Sequence, residues 1–116
     1  MATVRSAGDL YYRVAFDARE VIDRGDGVTV GEWIEKFQVR AGFIPLRGGE
    51  SVMAGRLQGQ QTQIIFVRTS SQTRSVNTDW RVRDVRSDVS YNIREITQSG
   101  DRHWIDFLCQ SGVADG

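Results

Sequence analysis

Between Val30 and Glu50 the chain reads Val-Gly-Glu-Trp-Ile-Glu-Lys-Phe-Gln-Val-Arg-Ala-Gly-Phe-Ile-Pro-Leu-Arg-Gly-Gly-Glu. From Trp33 onward every second residue is bulky or apolar: Trp33, Phe37, Val39, Ala41 and Phe43, with Glu35 the one break. Lys36, Gln38 and Arg40 lie between them. A period of two marks a strand with one buried and one solvated face, whereas a helix would repeat its apolar residues every three or four positions. At ~3.3 Å per residue the run from Trp33 to Leu46 would span about 45 Å, too far for a flat strand in a small domain. The pattern therefore predicts a curled central strand, bent at Gly42 and with its pairing ended near Pro45.

The same reading gives the other elements. Leu10, Tyr12, Val14 and Phe16 alternate with Tyr11, Arg13, Ala15 and Asp17 and predict a first strand. Asp17 to Thr29 is charged and glycine-rich, and Asp23-Arg-Gly-Asp-Gly27 reads as a turn or wide loop. Leu46 to Gln60 is a glycine-rich loop in which Val52/Arg56 and Met53/Leu57 could share one face of a short helix. The Ile64-Ile-Phe-Val67 run predicts a strand covered on both faces. Thr69 to Thr78 is polar and loop-like, and Trp80 to Val85 is a short strand. Tyr91, Ile93 and Ile96, the turn Gln98-Ser-Gly-Asp101, and the alternation from His103 to Cys109 predict a hairpin. No internal repeat is present. The sum is an all-β fold: a single domain over residues 1–116, a small six-stranded β-barrel with long glycine-rich loops and at most one short helix. Residues 1–8 and 111–116 are expected as flexible termini. The expected core comprises Trp33, Phe37, Val39, Phe43, Phe66, Ile93, Ile105 and Phe107.

Composition changes this picture in two places. Fifteen basic residues balance fifteen acidic ones, so no overall field draws the chain to a polyanion or a membrane. The balance is uneven along the chain: Arg47 to Arg86 carries seven arginines against Glu50, Asp79 and Asp84, and residues 87–116 carry two against five acids. A protomer with a basic middle and an acidic end could stack head-to-side on its neighbours, although scattered solvated charge gives the same count. All the basic residues but Lys36 are arginine, which suits bidentate pairing across interfaces but is equally a signature of genome composition. The lone Cys109 rules out an intrachain disulfide, and no apolar run approaches the eighteen or so residues of a membrane span.

Candidate chemistry is sparse. His103 and Cys109, six residues apart on a strand, would sit ~20 Å from each other and cannot share a metal or a proton. The Asp23–Gly27 stretch lacks the alternating oxygen ligands and flanking helices of a calcium loop, and the glycines at 48, 49 and 55 lack a phosphate-loop lysine. No catalytic residue, metal ligand or cofactor site is nominated. Trp80, Arg81 and Arg83 could form a stacking platform for single-stranded nucleic acid, but alternation puts the tryptophan on the face opposite both arginines.

The ordered series Gly8-Asp-Leu-Tyr-Tyr-Arg-Val14, Glu32-Trp33, Ala41-Gly-Phe-Ile-Pro-Leu-Arg-Gly-Gly-Glu50, Gln61-Thr-Gln-Ile-Ile-Phe-Val-Arg68, Tyr91-Asn-Ile-Arg-Glu-Ile96 and Phe107-Leu-Cys109 resembles the bacteriophage head–tail joining family of head-closure, or stopper, proteins. The glycine that this family often places before the tyrosine strand is replaced here by Ser87-Asp88. The resemblance implies a non-enzymatic virion protein, made in the host cytoplasm and placed at the head–tail interface. It implies a homo-oligomeric ring of six or twelve copies, with a portal or adaptor ring above and tail proteins below. Such a ring retains packaged DNA, with non-specific contact to the duplex, and docks the tail. On this reading Arg47, Glu50, Arg56, Gln58 and Gln60 would face the ring lumen or a partner; the alternative is that their loop merely caps one barrel end. The rival functions are a tail-terminator or portal-adaptor subunit and a small-barrel nucleic-acid-binding protein.

Overall fold

The computed structural model describes residues 7–23, 25, 29–46 and 60–112. Its six strands are β1 (Tyr12–Asp23), β2 (Thr29–Pro45), β3 (Gln61–Arg68), β4 (Arg81–Asp84), β5 (Val89–Gln98) and β6 (Trp104–Ser111). All pair antiparallel and close into a barrel in the order β1-β2-β3-β6-β5-β4. Single 3-10 turns at Ala7–Asp9 and Thr73–Ser75 are the only helical pieces among the described residues. Closure gives each barrel strand a partner on both sides and so removes the exposed edges that an open sheet presents.

Strand β2 does what its length predicts. It pairs with β1 from Thr29 to Ala41 and then, from Gly42 to Pro45, with β3. Gly42 is needed at the changeover because Phe66 crosses it directly: a Cβ there would stand 2.1 Å from the Phe66 ring. The bore is filled by Val14, Phe16, Ala41, Ile65, Val67, Val76, Val82, Tyr91, Ile93, Ile105, Phe107 and Cys109, with Phe37, Val39, Phe43, Trp80 and Ile96 packed against them. Phe16 touches the rings of both Phe37 and Phe107, at 5.0 and 5.1 Å between centroids. Phe66 is buried too, but on the outer wall, where Leu10, Trp104 and Ile44 make a second apolar cluster with it. That cluster is why the Ile64–Val67 run is apolar on both faces. The Ser70–Ser75 loop is fixed by Thr73, whose buried hydroxyl donates to the Arg68 carbonyl (2.9 Å) and accepts from the Ser70 amide (2.8 Å).

Besides Ser111, expected in a flexible terminus but buried at the end of β6 opposite Gln61, two expectations need correcting. Asp17–Asp23, read above as the start of a loop, continues β1, and its pairing with β2 runs in register from Asp17↔Glu35 to Asp23↔Thr29. β4 accompanies β1 only over Val14–Asp17, so Ala18–Asp23 and Thr29–Ile34 form a two-stranded arm beyond the barrel. With Arg19 and Val21 exposed and Glu20 and Glu32 half-buried, these strands lack the apolar alternation that betrays a buried strand.

The second correction concerns Trp33, expected in the core. A β-bulge places Lys36 between the pairs Phe16↔Phe37 and Asp17↔Glu35. One extra residue exchanges the faces of everything before it. Phe37, Val39, Ala41 and Phe43 point into the bore, while Glu35 and Trp33 fall on the outside. Glu35, the break in the alternation, marks the region of the shift.

Both remaining turns place a residue other than glycine in left-handed backbone, which Asp88 tolerates better than Arg102 does. Asp88, at φ 59°, closes the β4–β5 turn in place of glycine, and its amide donates to the Asp84 carbonyl at 2.8 Å. The β5–β6 turn puts Arg102 at φ 63°. There the Ser99 hydroxyl and the His103 amide both donate to Asp101, and these bonds hold its carboxyl below the usual carboxylate range.

Candidate functional site

The bore is packed with side chains, so the polar specialisation lies on the outer wall of β1, β2 and β4. Odd-numbered residues of β1 face outward, opposite Val14 and Phe16, and register sets Arg13 beside Arg40, Asp17 beside Glu35 and Arg19 beside Trp33. From the other side β4 brings Arg83 opposite Ala15 and Arg81 opposite Asp17.

At the root of the arm these residues form one ionic cluster. Asp17, only 2% exposed, accepts from Arg81 Nε at 2.8 Å and from Arg83 Nε at 3.2 Å. Arg83 Nη2 also reaches Glu35 at 2.8 Å, and Glu35 in turn accepts from Gln38. The Asp17 hydrogen bond, aided by Glu35, raises the Arg83 guanidinium above its ordinary pKa. Arg19 and Arg81 each place a guanidinium 4.6 Å from the centre of the Trp33 ring. Trp33 is thus an anchor for cations on the outer wall, and its half-burial comes from those arginines. A bulky side chain preceding a break in alternation was the only hint of this in the sequence. The partnership of Asp17 with Arg81 and Arg83, 64 and 66 residues away, left no signal there.

Towards the other end of β1 the wall is basic. Arg13 and Arg40, both exposed, stand directly opposite each other. A groove of about 560 Å³ on one side of them is lined by Leu10, Tyr11, Asp84 and Arg86, and one of about 500 Å³ on the other by Gln38, Arg68 and Gln72. Arg86 lies over the Tyr11 ring at 5.1 Å and donates to its hydroxyl, while Arg68 lies over Trp104. Asp84 is committed inward, accepting from the Arg86 amide at 3.0 Å.

Of the expected contact loop, Arg47, Glu50, Arg56 and Gln58 lie outside the described residues. Gln60 is half-buried and accepts from Gln110 Nε2 at 3.2 Å. His103 is exposed in the turn before β6, and Cys109 is buried in the bore, where burial pushes its thiol pKa up. Among the described residues no three His, Cys, Asp or Glu side chains gather where they could hold a metal ion. Among them, too, no helix is long and apolar enough to cross a membrane.

A closed barrel with a filled bore leaves its outer wall as the surface open to other molecules. The model of the phage head completion protein family matches residues 5–112, and the chain belongs to that family. It is a structural protein of the phage head, and its place is the virion. No curated protein matches the sequence. Among solved structures the fold is similar to protein SF1141 from Shigella flexneri 2a, at TM-score 0.68 and 16% identity over 94% of this chain and 98% of that one. It is also similar to a chain from the virion of a native gene transfer agent particle, at TM-score 0.58 and 17% identity over 87% and 93%.

Proposed function

We propose that this chain is a head–tail connector, or head-closure, subunit: copies join in a ring at the vertex through which DNA was packaged, retain the genome and offer the tail its docking surface. The observation that carries this reading is membership of the head completion family along almost the whole chain. The fold shared with a chain of a gene transfer agent virion agrees with it. The role is mechanical and asks for no catalytic group, cofactor or metal. A barrel that offers its outer wall to neighbours suits a heterologous contact that closes into a ring of six or twelve. The partners are a portal or adaptor ring on one side and tail proteins on the other. The loop carrying Arg47, Glu50, Arg56, Gln58 and Gln60 is proposed as the lumen or partner contact, and the termini as segments that engage neighbours on assembly.

Particles assembled without this protein test the reading. Heads that are DNA-filled or leaking, and tailless by negative-stain microscopy, support it; intact tailed particles overturn it. Removing Gly48 to Gly59 is expected to leave the fold intact and block particle completion, and full infectivity of that deletion would end the loop's role. Arg13, Arg40, Arg68 and Arg86 around the two grooves favour one second reading, a small-barrel nucleic-acid binder. Submicromolar, salt-sensitive gel shifts of duplex DNA by the monomer would favour it.

A further inference from the structure

The β1–β2 hairpin carries three cross-strand pairs of like charge, of which one, Asp17 opposite Glu35, is bridged by Arg83. In the other two, Arg13 stands opposite Arg40 at the hairpin's barrel end, and Glu20 stands opposite Glu32 on the arm. Like charges set directly across a ladder destabilise the strand pair that holds them. Among the described residues no carboxylate bonds to Arg13 or Arg40, and Lys36 is the cation bonded to Glu20. The two pairs also face opposite ways. Arg13 and Arg40 are on the outer wall, whereas Glu20 shares the face of Phe16 and Ala18.

They cannot meet within one molecule. Glu32 and Arg40 are on the same strand, eight residues and about 26 Å apart. The acidic pair projects on an arm beyond the barrel, and the basic pair sits between two open grooves. We propose that the Glu20/Glu32 pair on the arm of one copy docks on the Arg13/Arg40 pair on the wall of the next. Arm into wall is a heterologous contact, with each copy donating one surface and receiving on the other. The proposal deepens the ring reading and rests on it. It names the second copy of this chain as the occupant of the basic wall.

Charge exchange provides the test, read as assembled mass by native mass spectrometry or sedimentation at low salt. Arg13→Glu with Arg40→Glu is expected to reduce self-association at least tenfold, as is Glu20→Arg with Glu32→Arg. Mixing the two doubly substituted chains is expected to restore assembly, because each arm then meets a wall of opposite charge. Assembly of either variant alone at the wild-type level would overturn the docking. A second measurement separates this proposal from the reading beneath it. Particles are made with Glu20→Cys and Arg40→Cys in one chain and oxidised. Docking yields a ladder of disulfide-linked oligomers, which the ~26 Å separation forbids within a copy. Particles that contain the chain but give no ladder overturn the docking and leave the connector reading standing. Particles that complete without the chain overturn both.

Discussion

At the scale of single residues, Asp17 and Trp33 carry most of what distinguishes this barrel's outer wall. Asp17 is almost fully buried between two guanidinium groups that are themselves about one-fifth exposed. Its replacement by asparagine keeps the shape, removes the charge and leaves Arg81 and Arg83 facing each other. We expect Asp17→Asn to cost about 1–3 kcal/mol. Urea unfolding checks this, and an unmoved midpoint would show that the cluster adds nothing to stability. Trp33 gives the opposite kind of prediction. A tryptophan inside the bore would cost ~3–5 kcal/mol when cut to alanine. One held outside by two cations should cost only about 1–2 kcal/mol. A loss in the higher range would place Trp33 back among the core side chains.

Elements were legible in the sequence where a strand buries one face, as β6 does, or both, as β3 does, and obscure in the arm. β2 from Phe37 onward and β6 alternate because one face of each meets the bore, and the Gly42 and Pro45 signals marked the change of partner in β2. The barrel therefore followed from apolar spacing. The arm did not, because the stretches Ala18–Asp23 and Thr29–Ile34 carry no apolar period of two. Nor did the bulge at Lys36: Glu35 interrupts the alternation there, but an interruption alone does not separate a slip in register from a charged position on the buried face. The ionic cluster was hidden for a different reason: its members are distant in sequence and meet only after β4 has closed on β1. The separation of arm from barrel makes a prediction of its own. None of the bore-lining residues falls between Arg19 and Trp33. Replacing Arg19–Trp33 with Asn-Gly, which suits a two-residue hairpin turn, is expected to leave a folded barrel with dispersed amide resonances. Collapse of that spectrum would show that the arm is integral to the fold.

For the molecule as a whole, Cys109 supplies a measure of intactness. Burial in the bore raises its thiol pKa, and the unfolded chain would titrate it in the ordinary range, near 9.0. The folded state therefore keeps a proton that the unfolded state releases. This contribution to stability is complete below that range and is lost as pH rises past it. We expect the unfolding free energy to decline above pH 9 more steeply than in Cys109→Ala, provided both chains are compared by denaturant titration. Iodoacetamide should leave the native protein unlabelled at pH 8 and label it once the barrel opens. Rapid labelling of the native chain would show a bore that admits solvent.

The arm has a consequence for how relatives of this chain could diversify. Side chains change sides at each step along a ribbon, so lengthening both strands by two residues extends its reach by roughly 7 Å and preserves which charges look inward. Lengthening both by one would swap them and turn an attractive neighbour into a repulsive one. Reach should accordingly be inherited in even increments, an arithmetic imposed by the pleat rather than by any requirement of the virus.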